Sequence, residues 1–203
     1  MSFSLVTAAI VFGLIFPVEL PDKTFVATLV LATRYRPLLV WIGVATAFAV
    51  QTAVAVALGG VITQLPHRPV QILAASMFAI GGIVLLRHAR RAQQEEAEAE
   101  EEFAAKAVEP ATGMRAIATS FLVLFLAEWG DLSQLLTASL VVRYHDPLSV
   151  GVGAFLALAT VSALGAALGR ALLQRVSLVA VRRVGGGVCL LLALITLVEI
   201  VRS

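Results

Sequence analysis

Two short acidic motifs hold the residues best suited to chemistry: Glu19-Leu20-Pro21-Asp22-Lys23-Thr24 and Glu128-Trp129-Gly130-Asp131-Leu132-Ser133. Each places a glutamate three residues before an aspartate inside a long apolar stretch, and in a continuous helix that spacing puts both carboxylates on one face. A charged side chain at the centre of a bilayer costs about 2.5–3.5 kcal/mol on insertion scales, so four such acids point to function. Like charges crowded together in a low dielectric cannot all stay ionised with nothing between them, so the cluster must hold protons or a cation. Thr24 and Ser133, with Gln51 or Gln134 and carbonyls freed near Pro21, would complete an all-oxygen environment suited to hard cations such as Ca²⁺, Mn²⁺ or Mg²⁺. No His or Cys accompanies the acids, which makes Zn²⁺ and Cu⁺ poor candidates. Protons and a divalent ion competing for the same acids give antiport a physical basis.

The elements that must position these residues are membrane helices. The chain has 203 residues, of which 60% are hydrophobic and 14% charged. Its mean hydropathy of +0.95 lies far from that of a soluble domain. Apolar runs predict six spans, at roughly 3–33, 38–65, 69–88, 115–142, 148–173 and 178–201. This leaves no length for an attached catalytic domain. The first run would be about 46 Å as one helix, against a hydrocarbon core of about 30 Å. Pro17 and Pro21 each remove a backbone donor, so the expectation is a first helix kinked or broken near Pro21. The N-terminus lacks a basic region and is read as the first span rather than a removable signal. The single Cys189 excludes an internal disulfide or a cysteine cluster.

Seven of the thirteen acids fall in one Glu-, Ala- and Gln-rich segment, 92–114, whose composition suits an exposed helix or a disordered linker. It separates residues 1–91 from 115–203, and these two parts resemble copies. An offset of 109 aligns the two motifs and also Thr28 with Thr137 and Arg34-Tyr35 with Arg143-Tyr144. After one insertion Pro37 meets Pro147, and farther on Gly81-Gly82 resembles Gly185-Gly186. Three spans per copy is an odd number, so the second copy would enter from the opposite side. The expected architecture is all-α: six transmembrane helices as two inverted-topology three-helix repeats. Eleven Lys/Arg on the side of the acidic linker against three on the other predict both termini outside and the linker in the cytoplasm. A prokaryotic plasma (inner) membrane is the expected location. The lipid bilayer and a divalent metal ion are the expected partners, nucleic acid is not, and a homo-oligomer is compatible with the sequence.

Several residues admit a second role. Lys23 could pair with a motif acid as a counter-charge, stand in for a cation, or snorkel to the interface. Thr24 and Ser133 could bond their own helix backbone, and Gln51 and Gln134 could hold helices together. The four acids could form a structural knot, although Lys23 is the only cation within the two motifs. Trp41 fits an interfacial belt, Trp129 could wall off the site, and Gly165 and Gly169 suit a helix contact. His67, His88 and His145 fall at the predicted membrane edges.

The pattern Glu-x-Gly-Asp-(Lys/Arg)-(Ser/Thr), once in each half of a six-span chain with a hydrophilic centre, resembles the Gdt-type cation/proton exchangers: the Golgi manganese and calcium transporters, their chloroplast relatives and bacterial manganese exporters. The resemblance implies exchange of Mn²⁺ or Ca²⁺ for protons, with the metal exported from the cytoplasm. It places Glu19, Asp22, Thr24, Glu128, Asp131 and Ser133 at the motif positions and needs no prosthetic group. Pro21 stands where the family's first motif has glycine, and Leu132 where the second has a basic residue. A passive cation channel with an acidic ring is one alternative. An intramembrane enzyme using paired carboxylates is another, but the sequence has neither a Gly-x-Gly-Asp protease pattern nor His-Glu-x-x-His.

Overall fold

The structure is a computed structural model that describes residues 3–20, 23–64, 67–106, 113–175 and 178–202. All regular structure among them is helical: α1 (Leu5–Glu19), α2 (Lys23–Arg34), α3 (Pro37–Ile62), α4 (His67–His88), a 3₁₀ turn (Ala89–Arg91), α5 (Ala92–Lys106), α6 (Met114–Ala127), α7 (Leu132–Tyr144), α8 (Pro147–Arg175) and α9 (Leu178–Arg202). Local chemistry explains several boundaries. Ser4 caps α1, its hydroxyl accepting the Thr7 N–H at 3.2 Å. Pro37 occupies the first turn of α3, where its missing N–H costs nothing. Asp146 Oδ1 accepts the Ser149 N–H at 3.2 Å at the start of α8.

Three helical stretches are long and apolar enough to cross a membrane: Pro37–Ile62, Pro147–Leu168 and Arg183–Val201. Two further candidates are bent pairs, α1 with α2 and α6 with α7, each turning by 72°. Pro17 lies inside α1, so it does not interrupt the helix. The expected third span, 69–88, is helical within α4. By length and composition the described residues therefore supply three to five candidate spans. The fourth expected span, 115–142, is built as two helices, α6 and α7, that meet at a bend of 72°.

Packing crosses between the first and second parts of the chain. α1 lies on α8 and α6 lies on α3, while α3 also packs on α8 and α4 on α9. Glycines allow the close approaches. A Cβ at Gly43 would strike the Ile117 carbonyl oxygen and lie 2.9 Å from Ser120 Cβ. One at Gly153 would strike the Ala8 carbonyl oxygen and lie 3.0 Å from Val11 Cβ. Ala8 and Val11 stand 109 residues before Ile117 and Ser120, so one contact is made twice. Gly82 and Gly186 face each other's carbonyls where α4 crosses α9, and Gly165 seats on Phe25 and Thr28 of α2. Leu58, Val61, Ile80, Leu126, Leu191 and Leu194 lie exposed on the outer surface, as lipid-facing side chains do. Trp41 ties α3 to α8, its indole N–H donating to the Ala159 carbonyl at 2.9 Å. Arg143 on α7 forms a pair of hydrogen bonds to Glu199 on α9, at 2.9 and 3.1 Å.

The acidic segment is helical through α5 and is not simply a solvated face. Ala99 and Phe103, one turn apart, are buried in the main core, and α5 packs chiefly on α2. Glu98, Glu101 and Glu102 point outward. Truncating a buried phenylalanine costs about 3–5 kcal/mol. Phe103→Ala is therefore expected to release α5, read as much faster proteolysis within 92–106 while the remaining helices stay protected.

Candidate metal centre

The two bends face one another at the site. α6 ends at Ala127 and α7 starts at Leu132, with Gly130 between them at φ +79°, a left-handed conformation that glycine adopts without strain. Asp131 then caps α7: its Oδ1 accepts the Gln134 N–H at 3.0 Å and its Oδ2 accepts the Ser133 hydroxyl at 2.7 Å. The Glu-x-x-Asp spacing thus does not place both acids on one helical face. Glu128 closes the end of one helix and Asp131 opens the next, and the pair is presented by a turn. A sequence signal for this second break was present, since Asp131-Leu132-Ser133-Gln134 directly after glycine has the form of a capping box.

Carboxylate oxygens of Glu19, Glu128 and Asp131 all lie within 4.8 Å of one another. Glu19 and Glu128 are 1% and 2% exposed, and Asp131 is half-buried. Oxygens at that separation share a common point about 2.8 Å from each, a few tenths of an ångström longer than the 2.3–2.6 Å of a Ca²⁺–oxygen bond. With all three ionised, each pair would repel by roughly 3–4 kcal/mol at an effective dielectric of 20. A divalent cation or protons would relieve that repulsion. The chemistry available is reversible binding of a hard cation in exchange for protons.

The hydroxyls at the motif positions turn toward acids. Thr24 Oγ1 donates to Glu19 Oε1 at 2.9 Å, across the first bend, whereas Ser133 donates to Asp131 beside it. One turn on, Thr28 and Thr137 donate to the carbonyls of Thr24 and Ser133, both at 2.7 Å. The glutamine amides turn elsewhere. Gln51 Nε2 donates to the Phe125 carbonyl at 3.1 Å, and Gln134 Nε2 donates to the Glu128 carbonyl at 2.8 Å while its Oε1 accepts the Gly130 N–H at 3.2 Å. Asp22 lies outside the described residues, as does the side chain of Lys23. Trp129 is 58% exposed and leans on Phe125, extending the Phe121–Phe125 stack instead of covering the acids.

The chain matches the divalent cation/proton antiporter GDT1 family over residues 7–93 and 116–203, leaving out most of α5. It is 31% identical to a GDT1-like protein of Synechocystis, covering 88% of this chain and 90% of the relative. It is 36% identical to the chloroplastic GDT1-like protein 1 of Oryza sativa, over 95% of this chain and 62% of the relative. It is 34% identical to the chloroplastic protein PAM71 of Arabidopsis thaliana, over 94% of this chain and 56% of the relative. The chain thus spans little more than half the length of these plant relatives. No solved structure matches. The chain belongs to the GDT1 family of divalent cation/proton antiporters.

Proposed function

We propose that this protein exports Mn²⁺ or Ca²⁺ from the cytoplasm in exchange for protons, using Glu19, Asp22, Glu128 and Asp131 as shared metal and proton sites. The observation that carries the reading is the convergence of three carboxylates, from two bends far apart in sequence, within 4.8 Å. Thr24 and Ser133 hold two of these acids in place, and their hydroxyl oxygens can join the cation. Gln51 and Gln134 support the bend through its backbone. Lys23 supplies a counter-charge when no metal is bound.

The matched 72° bends and the twice-made glycine contact support an inverted pair of three-helix repeats, 1–91 and 115–203, joined by the segment 92–114. In that arrangement α4 is the third span and both termini face outward, in a prokaryotic plasma membrane. The two bends then lie near the midplane, where alternating access places a transported ion.

The test uses purified protein in proteoliposomes with a pH gradient. Mn²⁺ or Ca²⁺ movement should require the gradient and be matched by proton movement in the opposite direction. Protons and metal compete for the same oxygens, so lowering pH on the metal-loading side should slow transport and adding metal should restore it. Metal flux without proton counterflow would overturn the antiport reading.

A further inference from the structure

The two bends are built differently, and the difference lies in a residue outside the acidic motifs. A helix ending in a buried site leaves its last four carbonyls without helical partners. At the end of α6 two of these are taken by side chains: Gln51 donates to the Phe125 carbonyl at 3.1 Å and Gln134 donates to the Glu128 carbonyl at 2.8 Å. Gln134 also accepts the Gly130 N–H at 3.2 Å, so one amide spans the whole turn from Glu128 to Gly130. Its own backbone N–H is bound by Asp131 Oδ1 at 3.0 Å. Gln134 therefore touches the backbone of one acid and the side chain of the other. The equivalent position in the first half is Phe25, and that of Gln51 is Val161, neither of which can make such bonds.

We infer that Gln134 is a positioning residue that sets the affinity of the cation site by fixing the separation of Glu128 and Asp131. The inference rests on the three-carboxylate site being the transport site. Both acids sit on one short turn held open by Gly130 at φ +79°. Without the amide, the Glu128 carbonyl and the Gly130 N–H each lose a partner, and the turn relaxes to regain them. The Gln51 contact on Phe125 still anchors α6 one turn earlier, so the helix end stays docked.

The experiment measures Mn²⁺ transport by the full chain in proteoliposomes under a fixed pH gradient. Gln134→Met keeps side-chain length and removes both hydrogen bonds. The expected result is a half-saturating Mn²⁺ concentration raised at least about tenfold, with the maximal rate within about threefold of the parent. The melting temperature in detergent is measured alongside, so that the half-saturation is read on folded protein. Unchanged half-saturation in Gln134→Met would overturn the inference. Glu128→Gln is measured in parallel: full activity there would remove the underlying site assignment, whereas its loss beside a normal Gln134→Met removes only the role of Gln134.

Discussion

Glu128→Gln is expected to lower Mn²⁺ or Ca²⁺ exchange at subsaturating metal by at least about 100-fold. That loss corresponds to about 2.7 kcal/mol, within the usual worth of a contact to a charged group in a site sheltered from water. Shape is nearly unchanged, so the effect isolates charge. One of the three converging carboxylates can then neither coordinate as an anion nor release a proton. Glu19→Gln should behave alike, because the Thr24 hydroxyl can still donate to an amide oxygen in place of Glu19 Oε1. Asp131→Asn is the cleanest of the set, since asparagine caps a helix about as well as aspartate and α7 should keep its start. Initial rates in proteoliposomes check all three. A rate within threefold of the parent for any of them would show that the acid concerned takes no part in transport.

Gly153→Ala is expected to destabilise the contact between the two parts of the chain. The added Cβ would run into the Ala8 carbonyl oxygen and approach Val11 Cβ to 3.0 Å. Neither group can swing aside, because both belong to the body of α1, so α1 and α8 must separate. Overpacking of this kind typically costs about 1–3 kcal/mol. In a chain of this size that should lower the melting temperature in detergent by roughly 2–12 °C. Gly43→Ala, against Ile117 and Ser120, should cost a similar amount. Gly13→Ala is the matched control: nothing lies within 4 Å of its added Cβ, and alanine favours helix over glycine by up to about 1 kcal/mol. Equal melting temperatures for Gly153→Ala and Gly13→Ala would show that the α1–α8 approach is looser than described.

Much of this was legible in the sequence because membrane burial makes charge conspicuous. Glu19, Glu128 and Asp131 could be picked out as rare acids in apolar runs, and the 109-residue offset pointed to their meeting. Pro21 marked the first bend in the same way. The second bend was less visible because no proline announces it, and apolar periodicity runs through Trp129 as though the helix continued. Only Gly130 followed by the Asp131–Gln134 capping pattern records it. Gln51 and Gln134 were recognisable as polar residues needing partners, but an amide serves a cation or a carbonyl equally well. The choice depends on where orphaned carbonyls fall, and that follows from the bend. The docking of α5 was hidden for a similar reason: two apolar side chains one turn apart among many glutamates barely register against the surrounding charge.

The crossed packing of the helices has a consequence for assembly. α1 finds its main partner in α8, and α6 finds its own in α3. The apolar faces of either part are thus completed by the other, as in an obligate dimer whose protomers have been fused into one polypeptide. Synthesis of residues 1–91 alone would leave α1 and α3 without their chief neighbours, and the acids of the first bend without the opposing pair. Cutting the chain within the joining segment after folding is a different matter, because the interlocked helices would hold the two fragments together.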